Sequence, residues 1–148
     1  MTTAICTRTE IDPRGPRFGG TITTIVLAIA LITVGSPLSD SLVAWQTLVF
    51  GLGAIVGLHA QPYGILYRKV IGPRLSPPQV LEDAAPPRFA QAVGLIFMLV
   101  ALVSIIAGAT LIAAIAIGFA LAAAFLNAAF DFCLGCEMYL LGARLRRR

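Results

Sequence analysis

Four apolar stretches, each close to the length of a bilayer crossing and nearly free of charge, constrain this chain more than any other feature. Hydrocarbon about 30 Å thick is covered by roughly 20 helical residues rising 1.5 Å each. With no water in that layer, every backbone N–H and C=O must be paired within the segment, and a helix does this alone. Composition points the same way: 58% of residues are hydrophobic and 12% charged, with a mean hydropathy of +0.90. A soluble domain carries about 25% charge, so the runs belong in lipid, not in a soluble, all-buried helical bundle.

Residues 1–20 form a polar arm, with Glu10, Asp12, Pro13 and Pro16 ahead of any hydrophobic run. A cleaved leader has a short basic start and a small-residue cleavage site instead, so the first apolar segment is expected to remain in the mature protein. That segment spans Thr21 to about Leu38, and Ser36-Pro37-Leu38-Ser39-Asp40-Ser41 has turn and capping chemistry. A second helix from about Ser41 to Ala60 completes a hairpin over residues 21–60. Residues 61–89 then change character, with Arg68, Lys69, Arg74, Glu82, Asp83, Arg88 and proline pairs at 77–78 and 86–87. Tyr63–Leu75 reads as a short interfacial helix with both tyrosines on one face, and the proline-rich remainder as an ordered loop or surface strap. Residues 90–133 hold the third and fourth helices, Ala90–Gly108 and Ala109–Phe132, in a tight antiparallel hairpin. A cysteine-containing basic tail, 134–148, follows. The expected fold is an all-α membrane protein, a four-transmembrane-helix bundle.

All 11 basic residues fall in the arm, the 61–89 loop and the tail, while the two opposite turns have Asp40 as their only formal charge. By the positive-inside rule the arm, loop and tail are cytoplasmic, in a plasma or inner membrane. The net charge of +4 thus belongs to membrane topology, and no nucleic-acid module accompanies it. A faint repeat fits the plan. Pro16-Arg17-Phe18-Gly19 and Pro87-Arg88-Phe89-Ala90 precede helices one and three at an offset of 71, while His59 and Tyr67 align with Asp131 and Tyr139 at 72. Two parallel two-helix repeats would then be related by an axis along the membrane normal, with His59 and Asp131 at similar depth. Gly53/Gly57, Gly118/Ala122 and Ala124/Ala128 supply small residues at the spacing that lets membrane helices pack closely.

The chemistry-bearing stretch is Asp131-Phe132-Cys133-Leu134-Gly135-Cys136-Glu137. Cys133 and Cys136 have the spacing either for a reversible disulfide or for two thiolates on a soft metal. A cytoplasmic setting disfavours a permanent structural disulfide but not a cycling one. Placed at the C-terminal end of helix four, the pair would meet the negative end of the helix dipole, and Asp131 and Glu137 would oppose a thiolate further. The arginine tail folding back, or a helix break at Gly135, would offset this. Cys6 is a candidate resolving thiol, and His59 a candidate proton acceptor or third metal ligand. Asn127 and Asp131, four apart, would share a helix face toward His59. Each of these also has a plain structural reading: packed cysteines, an incidental arm thiol, an interfacial histidine and a headgroup anchor.

Over nearly its whole length the chain resembles a small, largely actinobacterial membrane-protein family classified as domain of unknown function 4395. The resemblance rests on Ile11 to Phe18, on His59-Ala60-Gln61-Pro62-Tyr63-Gly64-Ile65-Leu66-Tyr67-Arg68 and on Phe132 to Tyr139. It implies a multi-pass membrane protein with no assigned enzyme activity, and a sulfur- or thioredoxin-related context. Two principal functions remain open. One is thiol–disulfide electron transfer with a cytoplasmic thioredoxin-like protein or another subunit; the other is a non-catalytic structural or assembly subunit of a membrane complex. Soft-metal binding by Cys133, Cys136 and His59 is a third alternative. No cofactor is indicated, and the spans lack the mid-depth charges of an ion or proton route.

Overall fold

The computed structural model describes residues 9–148. Four helices are long and apolar enough to cross a membrane: α1 (Arg14–Ile32), α2 (Pro37–Gly51, continued by a π-helical turn, Leu52–Val56), α4 (Ala85–Ile106) and α5 (Thr110–Phe130). Between the hairpins lies the short α3 (Pro62–Leu66), extended through π and 3-10 turns to Arg74, and α6 (Leu134–Arg146) follows α5. The structure is an all-α membrane bundle.

Both helix starts lie earlier than the hydropathy pattern suggests: α1 begins at Arg14 instead of Thr21, and α4 at Ala85 instead of Ala90. The first turn of a helix has no intrahelical acceptors for its N–H groups, so Pro16, Pro86 and Pro87 are tolerated there and do not mark a loop. Asp12 and Asp83 serve the two starts alike, each accepting at 3.0 Å from the backbone N–H two residues on, Arg14 and Ala85. On the opposite side, Ser36 caps α2 and Gly108, at φ 76°, makes the turn between α4 and α5. The loop expected to be a strap is largely exposed, and Glu82–Asp83 pairs antiparallel with Glu10–Ile11.

The core contains Leu27, Val43, Met98, Ala101, Ile117 and Ala120, whereas Ile25, Ile55, Val103, Phe119 and other large apolar side chains point outward. Such a surface suits lipid. Small residues set the helix spacing: a Cβ at Gly94 would lie 2.9 Å from the Phe50 ring, and one at Gly20 would lie 2.7 Å from Asn127 Nδ2. A polar chain crosses the interior. Trp45 Nε1 donates to Tyr63 Oη at 2.9 Å, Tyr63 donates to Gln46 Oε1 at 3.0 Å, and Gln46 donates to Thr23 Oγ1 at 3.3 Å. Gln46 is fully buried, and these bonds satisfy it where water cannot.

The repeat is structural. Helices α1 and α4 start 71 residues apart, and α3 and α6 start 72 apart. Phe18 packs on Tyr67 and its equivalent Phe89 on Tyr139, each with centroids 5.8 Å apart. Ile11 pairs with Glu82, its own equivalent at the 71-residue offset, so a pseudo-twofold axis passes through the two-stranded ribbon. Across that axis Arg88 Nε and Nη2 donate at 2.8 Å to the carbonyls of Ala54 and Ile55, ending α2. Arg17 Nε reciprocates at the end of α5, donating to Ala128 O at 3.3 Å. Hydrogen bonds involving a charged group contribute about 1.5–3 kcal/mol each when well made. Arg88 is solvent-exposed, which weakens both of its bonds, so Arg88→Ala should destabilise the bundle by about 2 kcal/mol in all, and Arg17→Ala by less, because its single contact is longer. Thermal unfolding of the two variants in one detergent checks the ranking.

Candidate functional site

The cysteines do not end α5. Asp131 adopts left-handed backbone at φ 54°, which Asp tolerates better than most residues, and Phe132 N–H donates back to Leu126 O at 3.2 Å. The chain turns there, and Cys133 becomes the N-cap of α6. The expected helix polarity is thus reversed: the pair faces the positive end of a helix dipole, not the negative end of α5. Cys133 Sγ accepts from Cys136 N–H at 3.2 Å, the two cysteines form a disulfide, and their Cα atoms are 5.2 Å apart. Both are half-buried. Gly135 does not break the helix. It lies against the start of α4, where a Cβ would come within 2.6 Å of Ala90 Cα and Cβ. Together with the Phe89–Tyr139 contact, this fixes the first turns of α6 on α4.

His59 and Asp131 occupy equivalent positions in the two repeats, and no salt bridge joins them. Both are exposed, and among the described residues the only salt bridge is Arg14–Asp12. Asn127 contacts α1, donating to Pro16 O at 3.3 Å. It does not share a helical face with Asp131, which has left the helix. No three His, Cys, Asp or Glu side chains among the described residues are grouped as a metal site requires. Cys6 lies outside the described residues.

Sequence reasoning missed a polar cluster beside α3. Asp12 accepts from Arg14 Nε at 3.0 Å, Arg14 Nη2 at 2.9 Å and Tyr67 Oη at 3.0 Å. The Arg14 side-chain bonds above all hold the Asp12 carboxyl below its ordinary range, with the Arg14 backbone N–H and Tyr67 adding to them. Burial foremost pushes the Tyr67 phenol upward, which keeps it a donor. The only signal in the sequence was the Asp-x-Arg spacing and the Tyr63/Tyr67 face. Arg68 Nη2 donates to His59 O at 2.6 Å and closes the loop before α3.

The geometry defines a class: a four-span helical membrane protein of two related halves, with a cysteine pair at the start of an additional helix. Within that class, the chain belongs to the family described as Domain of unknown function (DUF4395), which it matches over residues 11–144. No curated protein and no solved structure matches it.

The Asp12 cluster has a pH signature. A carboxyl held lower in the folded state stabilises it above the unfolded value, 3.8, and this contribution disappears as pH falls through the lowered folded value. Wild-type protein should accordingly lose more thermal stability than Asp12→Asn when pH is taken from neutral to below 3.8. Melting curves of both proteins at the two pH values test this.

Proposed function

We propose that the protein carries out thiol–disulfide exchange at the cytoplasmic surface of the membrane, with Cys133 and Cys136 as the exchanging pair. The supporting observation is the position of Cys133 at the α6 N-cap, with bonded Cys136 in the first turn. In the reduced protein the first-turn amides and the helix dipole favour anionic sulfur at Cys133. Glu137, also in the first turn, opposes this.

The reductant is a thioredoxin-like dithiol or a dithiol subunit in the same membrane. Its thiolate attacks Cys133 Sγ, forming an intermolecular S–S bond as the Cys133–Cys136 bond breaks. Cys136 leaves with the electron pair and takes a proton. The partner's second thiolate then attacks its own first sulfur and releases Cys133. The partner becomes a disulfide and the protein a dithiol, with two electrons and two protons transferred. An N-cap that favours anionic Cys133 also makes it the better leaving group in the second step. The reverse sequence reduces a partner disulfide.

Cys136→Ser should accumulate a mixed disulfide through Cys133 in cells, identifiable by acid trapping and mass spectrometry, and the double substitution should lose it. Wild-type protein fully reduced across a broad redox titration, with no adduct and unchanged cellular activity after both substitutions, would reject the exchange role and leave the assembly-subunit reading. A metal bound stoichiometrically to Cys133 and Cys136 would replace it with the soft-metal reading.

The cytoplasmic assignment rests on the segregation of basic residues. Single cysteines at Asp40, Arg74, Thr110 and Arg148, placed in a background without native cysteines, report it directly. An impermeant thiol reagent applied to intact cells should label positions 40 and 110 and spare 74 and 148; the opposite pattern reverses the orientation.

A further inference from the structure

A cavity of about 610 Å3 lies between the ribbon segment, the start of α1, the loop after α2, α3 and the start of α4. Its size is that of a small-molecule site. Arg68, Arg88 and His59 line it together with Glu10 and Asp12, and Val56 and Leu58 add apolar wall. Asp12 is already occupied by Arg14 and Tyr67, which leaves Glu10 as the opposing acid. A guanidinium carries five N–H donors. Arg68 uses Nη2 on His59 O, and Arg88 uses Nε and Nη2 on the carbonyls of Ala54 and Ile55. Those bonds hold each side chain in place, and among the described residues no partner takes its Nη1 donors.

The related half separates what the fold needs from what this cavity has in addition. Arg88 corresponds to Arg17, and both end a helix of the other repeat. Arg68 and His59 correspond, at the 72-residue offset, to Leu140 and Asp131. Basic side chains at these two positions are therefore specific to the first half and not required by the shared architecture. Guanidinium forks suit tetrahedral oxyanions, and the cavity lies at the bundle end where the basic residues gather. We infer that this cavity binds a phosphate ester, presented either by an anionic phospholipid headgroup or by a soluble phosphate monoester.

The test uses the full chain in phosphatidylcholine nanodiscs, with glycerol 3-phosphate and dioctanoyl phosphatidylglycerol as probes in calorimetric titrations. At least one probe should bind. Arg68→Gln should weaken binding about ten-fold, as loss of a charged hydrogen bond does. Glu10→Gln should strengthen it about three-fold at low salt, the scale of one exposed charge. Improved binding is a result that a folding defect cannot imitate, so it remains decisive if Arg68→Gln is unstable. Binding of glycerol 3-phosphate identifies a soluble ester as sufficient, and binding of the lipid probe alone identifies a headgroup. If neither probe binds wild-type protein, or if neither substitution moves the affinity, the inference is overturned.

Discussion

A membrane helix ends with carbonyl groups that have no partner in its own backbone, and at the interface this demand is met only in part by water. In this bundle each half helps to answer it for the other. Arg88, in the first turn of α4, closes the end of α2, and Arg17, in the first turn of α1, reaches the end of α5. The arginines therefore do more than gather charge at one end of the bundle. They couple the hairpins across the pseudo-twofold and hold the basic end of the bundle in one register, and both α3 and α6 are built on that end.

The spans were legible because lipid imposes a simple rule on composition. Their limits were less so, because proline reads as a loop residue unless its place in the first turn is known. Pro16, Pro86 and Pro87 all sit where a missing N–H removes no intrahelical bond. The repeat was visible in the two Pro-Arg-Phe entrances, but its consequence for His59 and Asp131 is geometric. Equivalence under a twofold gives equal depth but does not by itself bring two residues together: Ile11 meets its equivalent Glu82, whereas no salt bridge joins His59 to Asp131. The interior polar chain was also hidden, because one glutamine at position 46 among apolar neighbours reveals nothing about the tyrosine that meets it.

The cysteine site shows how one backbone residue alters a chemical argument. Continuous helix through Asp131 would have set the cysteines against a negative dipole end. Left-handed Asp131 ends α5, and the next helix begins at the cysteines. Asp belongs to the few side chains that visit that conformation readily, yet it also occurs within and at the ends of ordinary helices. Gly135 is equally ambiguous in sequence, as breaker or contact, until Ala90 is seen where its side chain would be. The close approach then gives α6 little room to shift along α4, so the first turn is positioned by packing as well as by its cap.

Comparison of the halves shows how differently one helix start can be used. Gln61 is the N-cap of α3 and Cys133 the N-cap of α6, at the same offset as the starts of those helices. Gln61 is buried and reaches away from its own helix, donating from Nε2 to Gln91 Oε1 at 3.0 Å. Cys133 is shorter and turns inward, accepting the N–H of Cys136. The first choice ties α3 to a membrane helix by a polar bond beside an open cavity. The second leaves packing at Gly135 to hold α6 and keeps both sulfurs within reach of each other. Duplicated architecture thus supplies two similar platforms at one end of the bundle, and the cap residue decides whether a platform is anchored through its side chain to a membrane helix or keeps its cap within its own first turn.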